Sequence, residues 1–288
     1  MNKDDIKALL AKYDYPVPRY TSFPTAVQFK PVQDAGTYFD CLNKITPGEP
    51  VSLYVHVPFC HSLCHYCGCH TKIVHSYSPI ASYIDTLIKE IELVGRNLKS
   101  VLCVSRIHIG GGSPNYAKTQ DIKRILDTLG RYFDLSSTQI DMECDPRLLN
   151  DGKISDYAAL GLSRISLGIQ DFDAGVQKAI NRIQPFDMVK KQIEALHRSG
   201  IHNINFDLII GLPEQTLETV NDTLDKVLEL QPSRVAVFPY AHVPWMKKHQ
   251  KLLEKYKMPE TSLRYEMAKL TESRLNEAGY EVIGIDHF

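Results

Sequence analysis

The sequence predicts an α/β protein in which parallel strands build a (β/α) barrel or partial barrel, with the site at the C-terminal ends of the strands. From residue 51 onward, strand-like runs alternate with amphipathic helical runs, which indicates right-handed βαβ crossovers and a parallel sheet. One face of each strand-like run is apolar and the other is polar. A doubly wound sheet is covered by helices on both faces and is apolar throughout, so we expect the polar face to line an enclosed cavity. A one-sided sheet wetted by solvent is the alternative.

The predicted elements follow one another in a regular order. Strands are expected at 52–57, 106–109, 139–144, 164–169, 203–210, 234–238 and 280–285. Helices are expected near 78–98, 118–133, 151–160, 185–199, 216–230 and 260–278. Residues 1–50 are punctuated by proline and are predicted to form an N-terminal extended segment, "YPVPRYTSFPTA" at 15–26, and a short helix around 35–44. Residues 51–288 are predicted to form the barrel.

The two faces of the predicted strands differ in composition along the whole sheet. The apolar face carries Leu53, Val55, Ile107, Ile109, Ile140, Met142, Ile165, Leu167, Ile169, Ile204, Phe206 and Leu208. The polar face carries Tyr54, His56, Arg106, His108, Asp141, Glu143, Arg164, Ser166, Gln170, Asn205 and Asp207. We expect the first set to pack against helices and the second set to face the cavity.

Composition narrows the class of protein. The 288 residues are 43% hydrophobic and 23% charged, as in ordinary soluble domains, and the net charge of -1 argues against a nucleic-acid binder. The start, "MNKDDIKALLAKYDY", lacks the apolar core of a signal peptide, and no apolar run approaches the ~20 residues that span a bilayer. We therefore expect a cytoplasmic protein without membrane contact. Thiols stay reduced in the cytoplasm, so clustered cysteines there favour metal binding over disulfides.

Four of the seven cysteines lie in "CHSLCHYCGC" at 60–69, directly after the first predicted strand. The spacing C-x3-C-x2-C of Cys60, Cys64 and Cys67 can hold three irons of a [4Fe-4S] cluster and leave the fourth iron open to a small molecule. Structural zinc sites use two short ligand pairs separated by a longer segment, but a zinc protein remains an alternative. Cys69 as a fourth ligand would close the open iron, so we assign it no ligand role.

Ligand-capable groups also follow the other predicted strands. "IHIGGGSP" at 107–114 offers exposed amides and close backbone approach after the second strand. Glu143 points inward by strand parity, and an acid there is costly unless it is paired or hydrated. Further groups are Gln170, Arg182, Asp207, Tyr240, Ala241 and His242. Because the C-terminal ends of parallel strands meet at one edge, we expect these groups to converge on the cysteine loop.

Eight stretches together resemble the oxygen-independent coproporphyrinogen III oxidases, a family of radical S-adenosylmethionine (SAM) enzymes. These stretches are "PRYTSFPTA", "SLYVHVPFC", "CHYCGC", "GGGSP", "ECDPR", "LGIQDF", "NFDLIIGLP" and "YAHVP". The resemblance implies that Cys60, Cys64 and Cys67 hold the cluster. It implies contacts to the cluster-bound SAM from Tyr54, Gly111, Glu143 and Ala241. It implies contacts to a second SAM molecule from Tyr66, Gly112, Ser113, Gln170, Arg182 and Asp207.

The resemblance also implies a reaction, which is the oxidative decarboxylation of two propionate side chains of coproporphyrinogen III to vinyl groups, giving protoporphyrinogen IX. A 5'-deoxyadenosyl radical generated from SAM at the [4Fe-4S] cluster would abstract the hydrogen, and a flavodoxin or ferredoxin would supply electrons to a monomeric enzyme. Arg19 and Arg182 are candidate partners for the substrate carboxylates. A haem-trafficking protein of the same superfamily is an alternative function.

Three departures from the family pattern affect these expectations. Phe23 stands where tyrosine is frequent, so a polar contact there is lost, while Ser113 stands where threonine is frequent and keeps the hydroxyl. Family members continue beyond "GIDHF" into a mainly helical C-terminal domain. We therefore expect this chain to be a fragment of the family's full length.

Overall fold

The computed structural model of the protein describes residues 3–13, 24–25, 28–31, 34–46 and 48–288. The strands are β1 (Val51–Val57), β2 (Phe59–Cys60), β3 (Lys72–Ile73), β4 (Leu102–Gly111), β5 (Phe133–Asp134), β6 (Gln139–Cys144), β7 (Leu162–Gln170), β8 (Asn203–Ile210) and β9 (Arg234–Pro239). The helices are α1 (Lys3–Tyr13), α2 (Ala35–Leu42), α3 (Ser78–Arg96), α4 (Thr119–Leu129), α5 (Asp151–Ala159), α6 (Ala174–Ala179), α7 (Phe186–Arg198), α8 (Leu217–Leu230) and α9 (Thr261–Glu277). Short 3-10 helices cover Pro114–Tyr116, Pro146–Leu148 and Lys248–Leu253.

The main sheet has the order β1-β4-β6-β7-β8-β9, and each of these neighbouring pairs is parallel. The short strand β5 extends it beside β4, while β2 and β3 form a separate small pair. Among the described strands, β1 and β9 do not pair, so the sheet is a partial barrel with one open side. The predicted alternation of parallel strands and helices is confirmed.

The apolar face of the sheet packs against the helices in one large core. Ile107, Met142, Leu167 and Phe206 are each 0% exposed and belong to the same cluster as Ile84 of α3. Every residue predicted for this face is buried except Leu53 and Ile140, which are partly buried against the same cluster. Strand parity therefore identified the helix-facing side correctly.

The polar face lines the inside of the partial barrel. A lower cavity of about 270 Å³ is bounded by charged side chains from five strands. They include the arginines Arg106, Arg164 and Arg234 with Asp141 and Asp207. Arg106 Nε lies 2.8 Å from Asp141 Oδ2, so the charges in this part of the lumen are partly compensated. The polar face therefore lines a cavity, as predicted. This observation favours the partial barrel over a one-sided sheet wetted by solvent.

Polar side chains fix several of the helix starts that follow the strands. Asn150 accepts a hydrogen bond from the Lys153 amide at the start of α5, and Thr216 and Thr219 form a reciprocal capping box at the start of α8. The α8 cap places the helix directly after the turn that ends β8. Local sequence thus sets where α5 and α8 begin.

The prediction of a seventh strand at 280–285 was wrong. The backbone of residues 286–288 instead runs antiparallel to β9, with the Val235 amide donating to Phe288 O and the Val237 amide donating to Asp286 O, at 2.9 and 2.7 Å. Asp286 adopts a left-handed φ of 65° in the turn between Gly284 and His287. The turn reverses the chain, so the apolar residues before it cannot add a parallel strand to the barrel.

Helices α1 and α6 and the short strands β2, β3 and β5 were not predicted. Helix α1 lies in the stretch expected to be irregular, α6 follows β7 directly, and β2 and β3 are two-residue strands below the length at which periodicity can be read. Of the predicted extended segment at 15–26, only Pro24 and Thr25 belong to the described residues. No helix in the described part of the chain has the length and apolarity needed to cross a membrane.

Candidate functional site

A second cavity, of about 300 Å³, lies above the lower one at the C-terminal ends of the strands. Eleven of the thirteen predicted cofactor and cluster residues line it: Cys60, Cys64, Tyr66, Cys67, Gly111, Gly112, Ser113, Glu143, Gln170, Arg182 and Asp207. We refer to it as the upper cavity. The predicted convergence of the strand ends on the cysteine loop is therefore present in the fold.

The cysteine loop is held at both ends and in the middle by backbone hydrogen bonds. The Val74 amide donates to Cys60 O at 3.1 Å, which pairs β3 with β2 and closes the loop. The His65 amide donates to Ile180 O at 3.0 Å, and the Cys67 amide donates to Cys64 O at 3.1 Å. The loop is thus anchored to the segment after α6, and its three cysteines face one cavity as free thiols.

Each of the three thiols has a different polar neighbour. Ser113 Oγ lies 3.6 Å from Cys60 Sγ. Burial raises the pKa of Cys60 to about 11. A hydrogen bond with the Cys69 side chain lowers the pKa of Cys67 to about 6. Cys64 is the most buried of the three and contacts two guanidinium groups, from Arg182 at 3.5 Å and from Arg147 at 3.9 Å.

The arrangement suits a cluster better than a single ion. Across the described residues, no three or more His, Cys, Asp or Glu side chains are placed to ligate one metal ion together. A [4Fe-4S] cluster makes no such demand, because each thiolate binds a different iron. The zinc-module alternative, which needs four ligands converging on one ion, is not favoured by this geometry.

The glycine turn after β4 brings backbone close to the cysteines. The Gly112 amide donates to Val57 O at 3.0 Å and the Ser113 amide donates to Phe59 O at 2.9 Å. A Cβ at position 112 would lie 2.8 Å from Phe59 O and 2.9 Å from Cys60 Sγ. Only glycine permits this approach, so the turn forms a close-fitting wall beside Cys60. Three free thiols beside a glycine wall are a donor set and a cradle that fit an iron-sulfur cluster.

Glu143 is held at the cavity wall by donors from β4. Gly111 donates its amide to Glu143 Oε2 at 3.0 Å, and His108 Nε2 lies 3.2 Å from Oε1. Burial alone would raise the pKa of Glu143, but the hydrogen bonds from His108 and Gly111 outweigh it and hold the pKa below its usual value. The carboxylate is therefore ionised and oriented, and its remaining lone pairs can accept hydrogen bonds from a ligand.

Arg182 is a buried cation. Its Nε and Nη2 donate to Gly168 O at 3.2 and 2.8 Å, and its Nη1 lies 3.3 Å from Asp145 Oδ2. Burial opposes its charge, yet the electrostatic contacts with Tyr66, Asp145 and Cys64 raise its pKa above the usual value. Arg182 thus joins the cysteine loop to the end of β7.

Gln170, at the end of β7, and Asp207, in β8, line the upper cavity. Gln170 has a left-handed φ of 65° at the end of β7, which turns the strand at the cavity edge. Asp207 accepts hydrogen bonds from Ser166 at 2.9 Å and from Asn205 at 2.8 Å. Burial raises the pKa of Asp207 to about 6, so it is mostly ionised at neutral pH.

Tyr54 and Ala241 are the predicted contacts that do not line the upper cavity. Tyr54 stacks on His108 at 5.8 Å between ring centroids, and a Cβ at Gly110 would lie 3.0 Å from both Tyr54 Cε2 and Glu143 Oε1. Ala241 is exposed, and its carbonyl accepts a 3.2 Å hydrogen bond from Gln250. Arg19 and Phe23 lie outside the described residues.

Several residues of the site were not assigned from the sequence. Asp145 and Arg147 stand in "ECDPR", which was recognised as a motif without any role for these two residues. Gln250 donates to Tyr66 O at 2.9 Å, and His249 Nε2 lies 2.8 Å from Cys67 O. These two contacts join residues more than 180 positions apart, and no local pattern marks them.

Comparison with known proteins places this geometry in a family. The model of the radical SAM superfamily matches residues 54–227. The oxygen-independent coproporphyrinogen III oxidase of Bradyrhizobium diazoefficiens is 44% identical over 273 residues, which cover 94% of this chain and 61% of that protein. The coproporphyrinogen III oxidase, anaerobic 1, of Cereibacter sphaeroides is 41% identical, with 97% and 62% covered.

A solved structure gives the same result. The structure of the radical SAM enzyme coproporphyrinogen III oxidase from Escherichia coli superposes with a TM-score of 0.90 at 34% identity, covering 98% of this chain and 63% of that chain. The chain thus spans about three fifths of the length of these relatives. The family model covers more than half of the chain and includes the cysteine loop, the glycine turn and Glu143. The chain therefore belongs to the radical SAM superfamily.

Proposed function

We propose that this protein acts in the oxygen-independent oxidative decarboxylation of coproporphyrinogen III to protoporphyrinogen IX. The observation that carries the proposal is that Cys60, Cys64 and Cys67 share one cavity with the Gly111–Ser113 turn and the ionised Glu143. The substrate and the reaction rest on the names of the relatives, which are coproporphyrinogen III oxidases 34–44% identical to this chain over most of its length. Superfamily membership implies SAM and a [4Fe-4S] cluster as cofactors.

The reaction converts each of two propionate side chains into a vinyl group. Carbon dioxide, one proton and two electrons leave each propionate. When bound, the reduced cluster and SAM would supply the one-electron radical chemistry by which a hydrogen atom is abstracted from the side chain. Cys60, Cys64 and Cys67 would hold the cluster, and Cys69 stays free to hydrogen-bond to Cys67.

The chain's own residues bind and orient the reactants. Glu143 presents a fixed carboxylate that can accept hydrogen bonds from an ammonium group, such as the amino group of SAM. The amides of the glycine turn fix the wall beside Cys60. Because the cavity lies inside a partial barrel, it also limits the access of water to reactive species.

The proposal includes a second SAM molecule. Its candidate contacts are Tyr66, Gly112, Ser113, Gln170, Arg182 and Asp207, and all six line the upper cavity. The buried Arg182 supplies positive charge and Asp207 supplies a carboxylate in the same cavity. Both charge signs are needed to bind an amino acid group, which supports this assignment. A flavodoxin or ferredoxin as electron donor and a monomeric state stay predictions.

The test is an anaerobic assay of the reconstituted full chain with SAM, dithionite and coproporphyrinogen III. We expect substrate-dependent consumption of SAM and release of carbon dioxide, with porphyrinogen products that carry vinyl groups. The matched control is Cys64→Ser prepared in parallel. A wild-type chain that loads iron and sulfide but forms no vinyl product, and that binds haem instead, would point to the haem-trafficking alternative.

A further inference from the structure

We propose that Asp145 and Arg147 form an opposed charge pair that sets the reduction potential of the cluster through Cys64. The inference rests on the proposed cluster but not on the identity of the substrate. Neither residue lies in the cysteine loop or in the glycine turn. Both belong to the segment after β6, where Asp145 precedes the 3-10 helix Pro146–Leu148.

The orientation of Arg147 is fixed by Asp145. Arg147 Nε donates to Asp145 Oδ1 at 2.9 Å and Nη2 donates to Oδ2 at 2.6 Å, which is a two-pronged ion pair. The Arg147 amide also donates to Oδ1 at 3.0 Å. The Asp145 amide in turn donates a hydrogen bond to Asn115 Oδ1 at 3.0 Å. The guanidinium is therefore locked rather than free to turn toward solvent.

The ion pair with Asp145 orients a charged N–H group of Arg147 toward the thiol of Cys64. Arg147 Nη2 lies 3.9 Å from Cys64 Sγ, and Arg182 Nη1 lies 3.5 Å from the same sulfur. Asp145 Oδ2 contacts both guanidiniums, at 2.6 Å from Arg147 and 3.3 Å from Arg182. The side chains of Asp145 and Arg182 are 6% and 8% exposed. Two cations and one carboxylate thus surround a buried sulfur.

The charges balance when Cys64 is a thiolate. The two guanidiniums then face two negative groups, and buried charge is tolerated only when it is paired. Cys60 differs, because its polar neighbour is the neutral hydroxyl of Ser113. The segment after β6 therefore places its charges specifically at the central cysteine of the loop.

Charges and hydrogen bonds at the sulfur ligands are among the main controls of cluster potential. Reduction adds negative charge to the cluster, so a nearby cation favours the reduced state and a nearby carboxylate opposes it. Loss of the Arg147 charge should then lower the potential, whereas loss of the Asp145 charge should raise it. If Arg147 and Asp145 only packed against the cysteine loop, their substitution would not shift the reduction potential of the cluster in opposite directions.

The experiment is an anaerobic redox titration of the reconstituted full chain, followed by absorption and electron paramagnetic resonance. At a fixed potential, we expect Arg147→Gln to lower the ratio of reduced to oxidised cluster about tenfold, equal to about 59 mV for one electron. Asp145→Asn should raise the ratio by a similar factor, and the double variant should return close to wild type. Arg147→Lys keeps the charge and should shift the ratio less than Arg147→Gln.

Lys190→Gln is the matched control, because it removes a cation from an exposed ion pair between α7 and α8, and it should leave the ratio unchanged. Equal ratios for wild type and Arg147→Gln, or shifts of the same sign for Arg147→Gln and Asp145→Asn, would overturn the inference. If Asp145→Asn does not fold, the comparison of Arg147→Gln with Arg147→Lys decides, and equal ratios overturn it. A wild-type chain that takes up no iron and sulfide would instead refute the proposed function, and this inference with it.

Discussion

The amide of Gly111 donates a 3.0 Å hydrogen bond to the carboxylate of Glu143 on the neighbouring strand. The glycine has a φ of +128°, a conformation that side chains rarely adopt, and a Cβ there would lie 2.8 Å from the His56 ring. The bond therefore depends on the absence of a side chain at this position. It fixes a charged group at the cavity wall before any ligand arrives, which lowers the cost of ordering it on binding.

The first prediction concerns His108, which lies behind Glu143. The neighbouring carboxylates of Asp141 and Glu143, at 3.9 and 3.2 Å, raise the pKa of His108 to about 9, above the usual value of 6.5. A raised histidine pKa stabilises the fold fully below pH 6.5, and this contribution is lost as the pH rises through about 9. We expect wild type to have a larger free energy of unfolding than His108→Gln at pH 6.5, and we expect this difference to shrink as the pH rises through about 9. Urea denaturation at several pH values measures it, and parallel curves for the two proteins would contradict the assignment.

The second prediction concerns the cluster ligands. Cys64→Ser should lose most of its iron and sulfide, with loss of the visible absorption of the cluster, because a serine oxygen is a poor ligand for iron in this setting. Cys69→Ser should retain the metal content of wild type, since the Cys69 thiol only hydrogen-bonds to Cys67. Metal and sulfide analysis of the anaerobic proteins checks both. Unchanged iron in Cys64→Ser would remove that residue from the ligand set.

The third prediction concerns the glycine wall. Gly112→Ala would force a Cβ against the backbone oxygen of Phe59, which cannot rotate away, so we expect a loss of stability of about 1–3 kcal/mol and reduced cluster content. Gly68→Ala is the control, because it lies in the cysteine loop but its Cβ would meet nothing within 4 Å. Thermal unfolding and iron analysis measure the two effects. Equal behaviour of the two variants would show that close approach at Gly112 is not needed.

The fourth prediction concerns strand parity. Leu167 lies on the apolar face of β7 with 0% exposure, so Leu167→Ala should reduce the free energy of unfolding by about 2–5 kcal/mol. Val101 is 65% exposed, and Val101→Ala should change it by less than about 0.5 kcal/mol. Chemical denaturation provides the comparison. A small effect at Leu167 would mean that the helix-facing side of the sheet is wrongly placed.

Much of the barrel could be predicted from local sequence. Strands alternate their side chains with a period of two, so the apolar and polar faces of β4, β6, β7 and β8 were readable without any long-range information. The cysteine spacing and the glycine turn were equally local signals. By contrast, two-residue strands such as β2 and β3 exist only because the loop folds back on itself, and no periodicity marks them.

The sequence by itself determined which residue types stand at the strand ends, and hence that three thiols, a glycine turn and a carboxylate would meet at one edge of a parallel sheet. Only the tertiary structure decided that Arg182 is buried against Cys64, that Asp145 and Arg147 belong to the same charge group, and that the last residues reverse to pair antiparallel with β9. The physical reason is that the spacing of residues along the chain shows on which face of a strand or helix each residue lies. Contacts between residues of different elements depend instead on how those elements pack. Charged side chains then settle where a partner lies within reach, because burial without one is too costly.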